Sequence, residues 1–354
     1  MRKSYDAWSA AEEETLREAR AKGMTGRECA VLLKRSVASV NAKVQDGSFP
    51  LGPRQPPTLA GIQPSDVLPL PGLDDLRPVV LEGPPPRRRA VSAEAGVTVI
   101  AGDFHFPQQD DAALAVLLET IRELRPARVI LNGDLPDLLA VSKYPKDARS
   151  KYSWALRDEA VAMHAFLREL ERVLPEDCSV VETEANHSGN GTGSRWWRYL
   201  SDRIPHLLQM DGAEERMGYQ AWWYPEWSRL TLVDSVVLAG GLLVTHGDMA
   251  RKWAAYSARA HAEKYQHSVL HSHTHRMGSS LQRVPAVGDR GESVIRAYEV
   301  GCMCRLEPSY VSAPNWSQGF AVVVDDGEEY GVELVNIVGG RAAVASLGRV
   351  VRAA

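Results

Sequence analysis

At 354 residues the chain exceeds the ordinary size of a single domain, so two folded units with a sizeable core are expected. A formal net charge of -4 excludes a global basic field, and any grip on nucleic acid must come from a local patch. Four cysteines are too few for a disulfide framework, no apolar leader follows the charged start, and no uncharged run is long enough to span a membrane, so a cytoplasmic protein without a membrane partner is expected.

Three short amphipathic segments open the chain. "SAAEEETLREARAKG" starts at a Ser9 cap with acids in its first turn, "TGRECAVLLKR" starts with a Thr25–Glu28 capping box, and "SVASVNAKVQ" starts at Ser36. They predict a trihelical domain over residues 1–46, its core drawn from Trp8, Leu16, Ala19, Leu32, Leu33, Val37 and Val40. Residues 1–45 carry nine Lys/Arg against six Asp/Glu, a local basic surplus in an acidic chain. The stretches "AWSAAEEETL" and "LLKRSVASVNAKV" resemble Myb/SANT-like helix-turn-helix modules over about 40 residues. That resemblance implies a third helix in the major groove, with Arg35, Ser39, Asn41 and Lys43 as DNA contacts; a protein-docking bundle is the alternative.

Residues 47–95 read as a linker. Eleven of the 21 prolines fall between Pro50 and Pro86, a density that forbids helix and favours an extended spacer. "RRR" at 87–89 closes it as a solvated basic patch or a grip on a polyanion.

From residue 97 apolar runs alternate with longer amphipathic stretches: "VTVIAG", 110–125, "RVILNG", 152–173, "SVVE", 194–209, "LLVTHG", 251–265, "SVLHS". The alternation predicts an α/β domain over residues 96–354 with strands buried on both faces, and the chain becomes strand-rich after residue 279. The 58 residues between His187 and His246 exceed any ordinary connection and predict a cap insertion at 188–240, rich in tryptophan. Trp196, Trp197, Trp222, Trp223 and Trp227 there would either stack bases or fill a core.

Ligands in α/β sheets gather at the carboxyl ends of strands, so the residues that close each apolar run carry the functional signal. "VIAGDFHF" ends in Asp103 and His105, "VILNGDLPD" in Asp134 and Asp137, "VVETEANHS" in Asn186 and His187, "LLVTHGD" in His246, and "SVLHSHTH" in His273 and His275. Singly each is weak; together they make a ligand set for two adjacent divalent cations sharing one carboxylate. Mixed oxygen and nitrogen donors suit manganese first, with iron, zinc or nickel as alternatives, better than calcium. An extended backbone would send residues 271, 273 and 275 to one side, with His271 supporting from behind.

The ordered series "GDFH", "GDLPD", "NH", "TH" and "HTH" resembles the calcineurin-like metallophosphoesterase superfamily over residues 97–350, and "YEVGCMCRLEPSYVSAPNWSQGFAVV" resembles the members carried by bacteriophages. The resemblance implies two mixed β-sheets packed as a sandwich and flanked by helices. It implies Asp103, His105 and His275 on one metal, Asn186, His246 and His273 on the other, Asp134 bridging, His187 as the catalytic histidine and Asp137 orienting it. Three positions depart from the family pattern, Ala185 and Ser272 for glycines and Ser188 for an acid, and none removes a ligand. A hydroxide shared by the two cations would attack the phosphate in line. Arg195, Arg198 and Arg251 would meet substrate phosphates, with surface pairing the alternative for Arg251, Lys252 and Tyr256.

The function expected is hydrolysis of a phosphodiester in nucleic acid or a nucleotide, targeted to DNA by the amino-terminal module, in the host-cell cytoplasm if phage-encoded. The alternatives are a phosphomonoesterase with a docking module and a non-catalytic DNA-binding regulator.

Overall fold

A computed structural model describes residues 8–21, 24, 26–45, 49–50, 91–138, 141, 156–188, 194–203, 223, 229–286, 291–307 and 314–353. They divide into two compact units, one within 8–50 and one within 91–353. Most of the expected linker, together with Trp222 and Trp227, lies outside the described residues.

The small unit has three helices, α1 (Ala10–Ala21), α2 (Gly26–Leu32) and α3 (Val37–Val44). Ser9 caps α1 reciprocally: its backbone N–H donates to Glu12 Oε2 at 2.9 Å while Glu12 N–H donates to Ser9 Oγ at 3.3 Å. Ser36 caps α3 by accepting from Ser39 N–H. Leu16, Ala19, Cys29, Ala30, Val40 and Phe49 form the core, with Trp8, Met24, Leu33 and Val44 against it. Leu32, expected in that core, is exposed, and Phe49, just past the expected boundary, takes a buried place in it.

The large unit holds two six-stranded mixed sheets. In one, β2 (Gly96–Ala101), β3 (Arg128–Leu131), β4 (Ser179–Thr183) and β5 (Leu230–Val233) run parallel, with β11 (Gln318–Asp325) and β12 (Tyr330–Ile337) antiparallel at the β2 edge. In the other, β7 (Leu243–Thr245), β8 (Val269–His271) and β10 (Ser293–Val300) run parallel at the centre. β6 (Val236–Val237) pairs with β7 and β1 (Val91–Ser92) with β6 at one edge, and β9 (Met277–Val284) pairs with β10 at the other. β1 falls within residues read as linker, and β5 and β6 fall within the stretch read as a cap. Their apolar runs of two to four residues are too short to stand out as periodic segments.

Side-chain alternation sorts the layers. Ile100, Ile130, Val244, Leu270, Val300, Ala321 and Val323 meet between the sheets. Val99, Val129, Val180, Phe320 and Val322 face the other way, onto α4 (Asp111–Leu124) and α5 (Leu156–Val173), through Leu117, Ile121, Met163 and Phe166. Beyond the second sheet, Val269 and Ala297 pack on Ala258 and Ala262 of α7 (Tyr256–Tyr265). The result is a sandwich of two mixed sheets flanked by helices, with α6 (Arg195–Arg203) following β4. A one-residue slip in β2 or β3 would swap these two cores, so the register is tightly specified. A short pair, β13 (Arg341–Val344) and β14 (Arg349–Arg352), closes the chain.

Candidate metal centre

All the polar strand-end residues lie just beyond the carboxyl ends of parallel strands: β2 for Asp103 and His105, β3 for Asp134 and Asp137, β4 for Asn186 and His187, β7 for His246, and β8 for His273 and His275. The segments past β2 and β3 stay paired after the strands end, with Asp103 N–H donating to Gly133 O and His105 N–H to Asp134 O. Asp103, His105, Asp134, His273 and His275 all have φ between 51° and 69°, in the left-handed region that costs a non-glycine residue on the order of 1–3 kcal/mol. Backbone strain at five residues whose side chains converge makes this a candidate functional site.

Those left-handed turns revise the reading of "HSHTH". The strand ends at His271, so the extended geometry does not continue to 273 and 275. His271 stays on the face that carries Val269, its ring 4.4 Å from that of His261 in α7, while the turns at His273 and His275 bring both to the centre.

Two buried carboxylates use one oxygen each to fasten a loop and present the other. Asp103 Oδ2 accepts from His273 N–H at 2.8 Å, and Asp134 Oδ1 accepts from His187 N–H at 3.0 Å. Asp103 Oδ1, fully buried, has no hydrogen-bond partner and lies 3.2 Å from His275 Nε2 and 3.7 Å from His105 Nε2. Asp134 Oδ2 faces His246 Nε2 at 3.3 Å, and His105 and His187 Nε2 each at 3.9 Å.

The imidazoles are set to accept. His246 Nδ1–H donates to Asn132 O at 2.8 Å and His105 Nδ1–H to Asp137 Oδ1 at 3.1 Å, which leaves Nε2 of each as a lone pair directed inward. His105 Nε2 is 3.0 Å from His275 Nε2; His246 Nε2 is 3.0 Å and His273 Nδ1 2.9 Å from Asn186 Oδ1. Acceptors this close repel unless a proton or a cation lies among them. The donor atoms fall into a group from Asp103, His105 and His275 and a group from Asp134, His246 and His273. The orphaned Asp103 oxygen and these facing lone pairs fit a divalent cation bound by mixed oxygen and nitrogen donors.

Charge balance agrees. Burial works against ionising Asp103 and Asp134, yet the facing imidazoles hold both below the usual carboxylate range. Burial likewise opposes protonating His105 and His246, but the facing carboxylates of Asp103 and Asp137 raise the first to about 10, and the charge of Asp134 raises the second to about 9. With no cation bound, protons on these two rings would neutralise the buried carboxylates, and a bound cation would take their place. His187 and His273 go the other way, lowered by burial to about 3 and about 4.

His187 stands beside these groups, its ring 4.8 Å from that of His105, and its Nδ1 has no hydrogen-bond partner. Asp137 Oδ1 is 3.6 Å from that Nδ1, outside hydrogen-bond range; its carboxylate serves His105 and accepts from Gln108 Nε2 at 2.9 Å. Arg195 Nη1 donates to the Asp137 carbonyl at 2.6 Å, which puts its guanidinium at the rim of the centre. Arg198 is half-buried on α6, and Arg251 is exposed before α7. Trp196 and Trp223 are buried, ring to ring at 5.9 Å, and belong to the helix-side core. In the small unit, Arg35 is held by Glu12 at 2.8 Å and stacked over Trp8, and Lys43 is held by Glu13 at 2.6 Å. Asn41 packs where a Cβ at Gly26 would stand, and Ser39 gives its N–H to the Ser36 cap.

Asn132 is the residue that sequence reasoning missed. Its Nδ2 donates to Thr245 O and Ser272 Oγ, its Oδ1 accepts from Thr183, and its carbonyl holds His246, so one buried amide ties both sheets together at the centre. It stands inside the quoted "VILNGD", and an amide ending a buried apolar run was the available signal. Ser272 is the other half of that link. At Gly133 (φ 80°) a Cβ would lie 2.7 Å from His246 Nδ1, so only glycine fits.

No protein-family model matches the sequence. The chain is similar to the Gene 54 protein of Mycobacterium phage L5, 27% identical over 263 residues covering 70% of this chain and 95% of that protein. It is similar to the same-named protein of Mycobacterium phage D29 at 27% over 257 residues, with the same coverage. Among solved structures, Vps29 of Entamoeba histolytica complexed with zinc aligns with 70% of this chain and 96% of its own at 13% identity and a TM-score of 0.35. Vps29 of Chaetomium thermophilum aligns with 69% and 93% at 12% identity and a TM-score of 0.33. Likeness at that level is too slight to support any inference about chemistry. No helix among the described residues is long and apolar enough to cross a membrane.

Proposed function

We propose that this chain is a dinuclear metal-dependent phosphoesterase that hydrolyses a phosphodiester in nucleic acid or a nucleotide. One observation carries the reading: inward-facing acceptor atoms of Asp103, His105, Asp134, Asn186, His246, His273 and His275 converge beside a His187 ring whose Nδ1 has no hydrogen-bond partner. Divalent cations held there, manganese first and iron, zinc or nickel as alternatives, would acidify water and neutralise phosphoryl oxygens. Asp134, whose Oδ2 faces imidazoles of both groups, would be the shared ligand. Burial keeps His187 neutral, so the ring would act as an N–H donor to the leaving oxygen. Asp137 keeps His105 in the tautomer that binds metal and fixes the backbone near His187 through Arg195. Arg195, and Arg198 beside it on α6, would receive the phosphate.

The test is turnover of aryl phosphodiesters, aryl phosphomonoesters, cyclic nucleotides, and single- and double-stranded DNA by manganese-loaded protein. Diester hydrolysis that stops with chelator is expected; no hydrolysis of any ester with manganese, iron, zinc or nickel overturns the reading. For the amino-terminal unit, DNA targeting through Arg35, Ser39, Asn41 and Lys43 competes with protein docking. The ion pairs that already hold Arg35 and Lys43 favour docking. A salt-dependent duplex shift lost on deleting residues 1–46 would decide for DNA. Similarity to two phage proteins supports a host-cell cytoplasm as the setting.

A further inference from the structure

Between β7 and α7 the surface opens into a cleft of about 380 Å³ lined by Arg251, Lys252, Trp253, Tyr256, Arg259 and Glu263. Trp253 is 58% and Tyr256 54% exposed, unusual for large aromatic side chains. Lys252 Nζ sits 4.8 Å from the Trp253 ring centre, and Glu263, the one carboxylate of the cleft, is engaged by Arg259 at 2.9 Å. The cleft therefore presents a cationic surface interleaved with π faces, on a chain whose net charge is -4.

The backbone beneath this cleft is fixed. Arg276, the residue after His275, donates from Nη1 to Lys252 O at 3.0 Å and from Nη2 to Ser257 Oγ at 3.1 Å. Ser257 Oγ also accepts from Arg251 N–H at 2.9 Å, and the buried Glu299 accepts from Ala255 N–H at 3.0 Å. The segment leaves His246 at one end and is pinned to the neighbour of His275 at the other, so the aromatics are held on the same loops that carry two of the proposed metal ligands.

We infer that this cleft binds a single-stranded nucleic acid, with Trp253 and Tyr256 stacking unpaired bases and Arg251 and Lys252 taking the flanking phosphates. Cations alternating with exposed rings match a flexible polyanion whose every repeat offers a π face, whereas duplex DNA hides its bases and would use the cations alone. The inference rests on the phosphoesterase reading, for which it names the substrate class as a strand with unpaired bases. Trp253 supplies the stacking surface that the buried Trp196 and Trp223 do not.

The test is fluorescence anisotropy of the full chain, in chelator to prevent turnover, with a labelled thymidine oligonucleotide and an abasic sugar-phosphate strand of the same length. The wild-type chain is expected to hold the base-bearing strand about fivefold or more tightly than the abasic one. Trp253→Ala and Tyr256→Ala lose that preference, and Trp253→Phe, which keeps a ring, retains it. Lys252→Gln weakens both strands alike and lowers the salt slope by about one. Equal affinity of the wild type for both strands, or an undiminished preference in Trp253→Ala, overturns the inference. Wild-type hydrolysis of an aryl phosphodiester with manganese reports on the metal centre separately, since that substrate carries no base or strand.

Discussion

The two units handle charge in opposite ways. In the small unit the carboxylates of Glu12 and Glu13 meet Arg35 and Lys43 near the surface, while the core is apolar apart from Arg20, which donates to the Phe49 and Met24 carbonyls. In the large unit Asp103, Asp134 and Asp137 are buried at the ends of strands and faced mainly by imidazoles, with the Arg195 guanidinium beside Asp137 alone. A surface ion pair adds little stability and asks nothing of its surroundings. A buried carboxylate costs several kcal/mol unless a counter-charge is present, and only a site built to receive one retains three of them. The small unit is organised to persist by itself, the large one to hold something.

The sharpest way to break that contrast is Asp134→Asn, which removes the oxygen facing both donor groups. Metal content and phosphodiesterase activity should be lost together, while the small unit's helices are unaffected; two retained ions with a normal rate would sink the ligand assignment. Next comes His187→Ala, expected to keep both ions yet lower kcat by about 10²–10⁴-fold, read by metal analysis and steady-state kinetics on one sample. On the other side of the comparison, Phe49→Ala empties a buried place in a unit with few core residues. A loss of about 3–5 kcal/mol should unfold that unit alone, seen by calorimetry as one missing transition with the main one unmoved.

Acid separates the regions less drastically. Protons compete with cations for His105 and His246, raised to about 10 and about 9, so metal affinity should fall steadily as pH drops from 8 to 5, measured by competition with a chelating dye. Glu12 is lowered to about 2, first by its hydrogen bond from Arg35. Its contribution is complete above the ordinary carboxylate range and is lost only as pH falls toward 2, so hydrogen exchange in α1 to α3 should stay slow after the metal has gone.

Much of this organisation was legible in the chain. Apolar runs ending in Asp, Asn or His pointed to both the sheet and the candidate site, because ligands in α/β sheets gather at the carboxyl ends of strands. The layers, with Ile100 and Ile130 between the sheets and Val99 and Val129 toward the helices, follow from that alternation. Four things were hidden. The left-handed turns at His273 and His275 depend on the second sheet's approach to Asp103, a contact between positions 170 residues apart. The link from Asn132 to Ser272 is of the same kind, since an amide in a turn looks ordinary until its partner strand is placed. Trp253 was passed over because a single aromatic beside basic residues reads as surface until a cleft forms around it. The pairing of Asp137 with His105 in place of His187 also lies beyond spacing, because both rings fall within 4 Å of one carboxylate.

The most direct measurement is the number of manganese ions bound per chain after equilibration and removal of free metal, taken with the rate of aryl phosphodiester hydrolysis by the same preparation. Two ions per chain and a rate abolished by chelator are predicted. A chain that binds none, or one that hydrolyses the ester equally well in chelator, contradicts the account.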